Sequence, residues 1–341
     1  MSFDYYLMFQ FPPQEMALRP FRRPAFSRIS SSKYKRLLPI FAIIAAGNLL
    51  ISAAEAQVTS RPPKLAITFD DLPAHGPLPT SETRMDVAIK ILKALHDAKL
   101  PPTYGFVNGV AINKNPADAP VLDAWRKAGN PLGNHGWSHL NLNQTSLSDF
   151  EQDVTRNEPV LSERMERADW HWFRYPFLAE GETPEKRTAF REFLSQRGYK
   201  IAAVTMSFAD YEWNEPFSRC KAKGDAAAIA ELEDSYLRAA DQSVDYYRGL
   251  SKRLFGRDIP YVLLMHIGAF DAEMLPKLLS LYRSKGFQFV TLENAARDEF
   301  YGSAINPRSP EPDSLEGVMA QRHLAFPSRP TRTMQLESVC R

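Results

Sequence analysis

Between Arg61 and about residue 292, short apolar runs alternate with segments of helical period, and that alternation narrows the fold more than any other feature of the chain. Residues 65–69, 103–107, 132–134, 172–175, 200–205, 261–266 and 287–292 read as strands. Between them apolar residues recur at three- and four-residue steps. Met85, Ala88, Ile89, Leu92 and Leu95 follow a Pro79-Thr80-Ser81 start signal, and Val121, Leu122, Trp125 and Ala128 precede Gly129. Further helical stretches cover 147–165, kinked or broken at Pro159, then 184–196, 226–254 and 272–282. Such alternation argues for a parallel sheet of about seven strands, and a barrel closes it most simply.

The chain of 341 residues divides by composition. Residues 1–56 hold seven Arg or Lys against three Asp or Glu, which leaves 35 basic and 37 acidic residues, a net of −2, for the rest. A body so close to neutral gives no footprint for nucleic acid. Lys33, Lys35 and Arg36 precede an apolar run over 37–54, and Ala54-Glu55-Ala56 has the small-x-small form of a cleavage site. Residues 1–56 therefore read as a signal peptide or membrane-targeting segment, 61–301 as the folded domain, and 302–341, rich in Pro, Ser and Arg, as an extended or disordered tail. Export to the periplasm or the medium is expected, with a membrane contact only through the N-terminal segment if it stays uncleaved. Cys220 and Cys340 either pair in one disulfide that ties the tail to the body or stay apart.

The strand at 65–69 ends in two carboxylates, Asp70 and Asp71. Successive side chains of a strand point to opposite faces, so adjacent acids at its end can serve two jobs around one site, and in parallel α/β folds strand ends are where sites are built. The plainer reading is a loop start capping the next helix. His135 and His139, four apart, can reach one ion or be two polar loop residues; joined to the Asp pair they supply a His, His, Asp set with positions left for water and substrate.

In order along the chain, Thr68-Phe69-Asp70-Asp71, His135 to His139, Arg174-Tyr175-Pro176-Phe177, Asp210 to Trp213 and Leu264-Met265-His266 resemble the five motifs of the polysaccharide deacetylase family, carbohydrate esterase family 4. The resemblance covers roughly two thirds of the chain. It implies a distorted (β/α) barrel with one divalent metal ion at its strand ends, Zn²⁺ first, with Co²⁺, Ni²⁺ or Mn²⁺ fitting the same ligands. Carried over by position, it implies Asp71, His135 and His139 as metal ligands, Asp70 as general base and His266 as general acid. Arg174 would orient the base and Asp210 would pair with the acid. The Tyr175 N–H would face the oxyanion beside Pro176, while Trp213 and Leu264 would wall the acetyl pocket. The implied reaction is removal of N-acetyl groups from amino sugars of a polysaccharide or oligosaccharide. The alternatives are an O-acetyl esterase of the xylan type and a carbohydrate-binding barrel without turnover. Leu72-Pro73-Ala74-His75-Gly76 departs from the family's usual Gly-Pro after the acids, and solvent is the safer expectation for His75 over the substrate or the metal's outer shell.

Overall fold

The computed structural model describes residues 62–331 and 334–341, within one compact unit, Thr59–Arg341. The targeting segment expected over 1–56 lies outside the described residues. Seven strands form one sheet: β1 Lys64–Leu72, β2 Gly105–Val107, β3 Leu132–Asn134, β4 Trp172–Phe173, β5 Lys200–Ile201, β6 Tyr261–His266 and β7 Gln288–Phe289. All pairings are parallel, in the order β5-β4-β3-β2-β1-β6, with β7 on β1. Strand β1 is the longest because its run Leu65–Phe69 is buried throughout. It matches β6 residue for residue, from Leu65 beside Tyr261 to Asp70 beside His266. One base candidate and one acid candidate thus end neighbouring strands.

Past β5 the chain runs on to Met206, which forms a single bridge with Leu263 of β6. The Thr205 and Met206 amides each donate to the Val262 carbonyl at 3.1 Å, and the Leu264 amide donates to Met206 O at 3.1 Å. This seam joins the two ends of the sheet and gives the expected distorted (β/α) barrel. Close packing fixes its wall: a Cβ on Gly133 of β3 would fall 2.6 Å from the Phe106 ring of β2, so only glycine lets the two strands approach.

Helices Arg84–Asp97, Leu147–Met165, Pro184–Gln196, Ala226–Phe255 and Ala269–Ser284 follow the predicted periodicity. The first starts at a capping box between Thr83 and Asp86, later than the Pro79-Thr80-Ser81 signal. Leu147–Met165 continues through Pro159, against the expected kink or break; Phe150, Val154, Asn157 and Leu161 bury one face, and that packing outweighs the lost amide bond. The tail beyond 301, expected to be extended or disordered, instead carries the helix Leu315–Gln321, which buries Leu315, Val318 and Met319. Buried Asp313 accepts from Arg191 at 2.6 Å, the Arg219 guanidinium donates to the Leu336 and Val339 carbonyls, and Cys340 is bonded to Cys220. Among the described residues no helix is long and apolar enough to cross a membrane.

Candidate metal and acid–base site

Asp70, Asp71, His135, Arg174 and His266 stand where strands end, while Asp210 opens the short helical turn Asp210–Trp213. Asp70 and Asp71 close β1, and Asp71 adopts a φ of 67°, a left-handed conformation that Asp tolerates better than most residues. After β3, the histidine loop is pinned from three sides. Asn108 Nδ2 donates to the His135 carbonyl at 2.7 Å, Asn134 Oδ1 accepts from the Gly136 amide at 2.9 Å, and the Asp153 carboxylate accepts from the Ser138 amide at 3.0 Å. His135 Nδ1 faces the Arg174 carbonyl at 2.8 Å. A carbonyl only accepts, so Nδ1 carries the proton and Nε2 offers its lone pair to the site.

Asp71 Oδ1 lies 3.5 Å from His135 Nε2 and 3.4 Å from His139 Nε2, is buried, and has no hydrogen-bond partner. A buried acceptor without a donor is costly. The three ligand atoms lie within 4.8 Å of one another. Bonds of about 2.0–2.1 Å in a tetrahedral shell separate ligand atoms by about 3.4 Å, so the set fits a small divalent ion. Burial pushes both histidines down to about 4, which favours the neutral, ligating form. Burial works the other way on Asp71, but the His75 hydrogen bond, the strongest opposing influence, holds it well below the usual carboxylate range.

Two ion pairs flank this cluster. Asp70 accepts from Arg174 Nη1 at 3.0 and 3.2 Å. The rest of the Arg174 fork is fixed by Thr68 Oγ1 at 3.0 Å and Ala202 O at 2.6 Å, with the Phe106 ring 4.6 Å beneath. Burial raises Asp70 to about 6 even against the Arg174 charge. On the other side His266 Nδ1 meets Asp210 Oδ1 at 2.9 Å, and the His266 amide donates to Asp210 Oδ2 at 2.6 Å. Burial opposes the charged imidazole, but the Asp210 charge and hydrogen bond lift His266 to about 10. Two buried groups are thus driven in the senses that make one a base and the other an acid near neutral pH.

The remaining predicted residues divide. Leu264 shares the strand face of His266, two residues on, and suits a pocket wall. The Tyr175 side chain is turned into the core beside Phe173 and Phe190, which leaves any site role to its backbone, and Pro176 is buried behind it. Trp213 has no exposed surface: its Nε1 donates to Ser235 and its ring packs on Phe208 and Tyr236, so it backs the Asp210 turn and does not line a cleft. The expectation of a solvent histidine at 75 is overturned, since His75 Nδ1 lies 2.6 Å from Asp71 Oδ2. Sequence reading also passed over the roles of Thr68 and Asp153. A hydroxyl inside the apolar run 65–69 was a signal for the first; nothing in the spacing marked the second.

A family model described as polysaccharide deacetylase matches residues 57–202. Residues 57–202 belong to the polysaccharide deacetylase family. That match supports, coarsely, an enzyme acting on acetylated sugars. The matched segment holds Asp70, Asp71, His135, His139 and Arg174, while Asp210 and His266 lie beyond it. No curated protein matches the chain. Among solved structures it is similar to a chitin deacetylase from Colletotrichum lindemuthianum, with 21% identity, 69% of this chain and 88% of that one covered, and a TM-score of 0.48. It is similar also to a peptidoglycan deacetylase from Bacillus subtilis, with 19% identity, 77% and 94% covered, and a TM-score of 0.43. A third, described as a carbohydrate esterase family 4 pseudoenzyme from Bacillus anthracis, has 13% identity, 69% and 66% covered, and a TM-score of 0.47.

Proposed function

We propose that this protein is a metal-dependent hydrolase that removes N-acetyl groups from amino sugars of a polysaccharide or oligosaccharide. The observation that carries the reading is the orphaned Asp71 Oδ1, converging with two imidazole nitrogens between the Asp70–Arg174 and His266–Asp210 pairs. A divalent ion held by Asp71, His135 and His139 would lower the pKa of water and polarise the acetamide carbonyl. Asp70, kept ionised at neutral pH and aimed by Arg174, takes the proton of the attacking water. His266, kept charged by Asp210, gives a proton to the departing amine, which is a poor leaving group without it. The Tyr175 N–H is the candidate donor to the oxyanion.

The test is acetate release from chitin oligomers, peptidoglycan and acetylated xylan, with and without chelator, by the wild type and Asp70→Asn. Chelator-sensitive release from an amino-sugar substrate, reduced about 10²- to 10⁴-fold in the variant, is expected. Release from xylan alone would move the assignment to O-acetyl esters. No release by the metal-loaded protein from any of the three would refute the deacetylase reading.

A further inference from the structure

We infer that His75, in the loop after β1, is a positioning residue that holds one oxygen of Asp71 so that the other is presented to the metal ion. The inference rests on the metal-hydrolase reading above and extends it to a residue outside the expected ligand set. The two oxygens of Asp71 stand in different surroundings. Oδ2 is 2.6 Å from His75 Nδ1, and because an ionised carboxylate only accepts, Nδ1 carries the shared proton. Oδ1 has no hydrogen-bond partner and faces both His135 and His139. A carboxylate held by one oxygen cannot rotate freely about its last bond, and it offers a single oxygen at a fixed angle.

The loop is built to keep His75 there. The Arg84 guanidinium donates to the His75 carbonyl at 2.9 Å and to the Gly76 carbonyl at 2.7 Å, tying the loop to the start of the following helix. The imidazole lies 4.7 Å from the His266 ring and 6.0 Å from the Tyr211 ring. The side chains of His75 and Asp71 are only 21% and 15% exposed, so water does not compete freely for their hydrogen bond. Asp71, His75 and His266 also offer ligand atoms within 4.8 Å of one another. Asp210 already holds His266 through Nδ1, and the short His75–Asp71 contact is a hydrogen bond, so the geometry favours orientation over a second ion.

Zn²⁺ affinity measured by competition with a chromophoric chelator, together with metal stoichiometry and thermal unfolding of the metal-free proteins, tests the assignment. The wild type is expected to take one ion. His75→Ala is expected to weaken binding about 10- to 100-fold, the range typical of a lost outer partner. His75→Asn, whose amide N–H can stand near the place of Nδ1, should recover most of that loss, and all three metal-free proteins should still unfold cooperatively, so that the lost affinity is not lost folding. His135→Ala, which removes a ligand itself, should lose more affinity than His75→Ala. Affinity of His75→Ala within twofold of wild type would overturn the role of His75 and leave the metal reading standing. Two ions in the wild type and one in His75→Ala would overturn it too, by making His75 a ligand. No ion taken up by the wild type would overturn both.

Discussion

Replacing Asp210 by Asn removes a charge from beneath His266 while keeping the shape of the side chain. In the folded protein His266 is lifted from 6.5 to about 10; burial pulls it down, and the Asp210 charge and hydrogen bond, helped by Asp71 and Asp70, overcome burial. A histidine more basic in the folded than in the unfolded chain stabilises the fold fully below about pH 6.5, and that contribution disappears as the pH climbs through about 10. The difference between 6.5 and about 10, at 1.36 kcal/mol per pH unit, sets a ceiling of about 5 kcal/mol. Since Asp71 and Asp70 supply part of it, Asp210→Asn should lose about 3–5 kcal/mol at neutral pH, the usual cost of stranding one partner of a buried pair. Urea unfolding of metal-free wild type and variant, run in parallel near pH 7 and near pH 11, reads this directly. At the higher pH the imidazole is neutral in both proteins, and the gap should shrink to about 1 kcal/mol for the altered neutral hydrogen bonds. A gap below about 1 kcal/mol at neutral pH, or one that does not change with pH, would refute the account of the pair.

Arg174→Met removes the strongest influence lowering Asp70, so the carboxyl should rise above its present value of about 6. A base must be ionised to work, so the acid limb of kcat/KM for acetate release should move to higher pH; an unmoved limb would count against Asp70 as the base. Cys220→Ser with Cys340→Ser removes a cross-link between residues 120 apart in sequence. Freed of that constraint the unfolded chain should gain entropy, and the urea midpoint should fall by the equivalent of about 2–5 kcal/mol. A midpoint unchanged from wild type would mean that the tail's ion pairs and helix hold it without the bond.

The strand runs were legible because burial on both faces leaves them apolar, and the parallel alternation that they imply is the fold that forms. The ends of β1 and β6 were legible for the same reason, since a carboxylate or an imidazole closing an apolar run stands out. Residues 172–175 and 200–205 were read as longer strands than β4 and β5; the surplus residues leave the ladder there to supply Arg174 to the site and Thr205 to the seam. His75 was hidden because its contact with Asp71 crosses a turn through Pro73, where neither strand nor helix spacing applies. The Arg191–Asp313 pair was hidden by distance, 122 residues along the chain, and with it the ordering of the tail. The positions of the ligands could be named from the chain alone, but the orphaned oxygen that argues for the ion is a fact of three dimensions.

The seam between residues 205–206 and 262–264 also decides where this chain can change length. Only Ser207, Phe208 and Ala209 separate the bridging Met206 from Asp210, and Ala209 is already bent to a φ of 58°. Only Leu264 and Met265 separate Leu263 from His266. One residue added on either side would carry its end of the acid pair forward by about 3.3 Å, beyond hydrogen-bond reach of the other. The outer helix Ala226–Phe255 bears no such constraint, since a turn gained or lost at its far end leaves the seam in register. Insertions and deletions among related chains should therefore collect around that helix and spare 206–210 and 263–266, so that the spacing of two short segments is a more telling mark of a working acid than the identity of either residue.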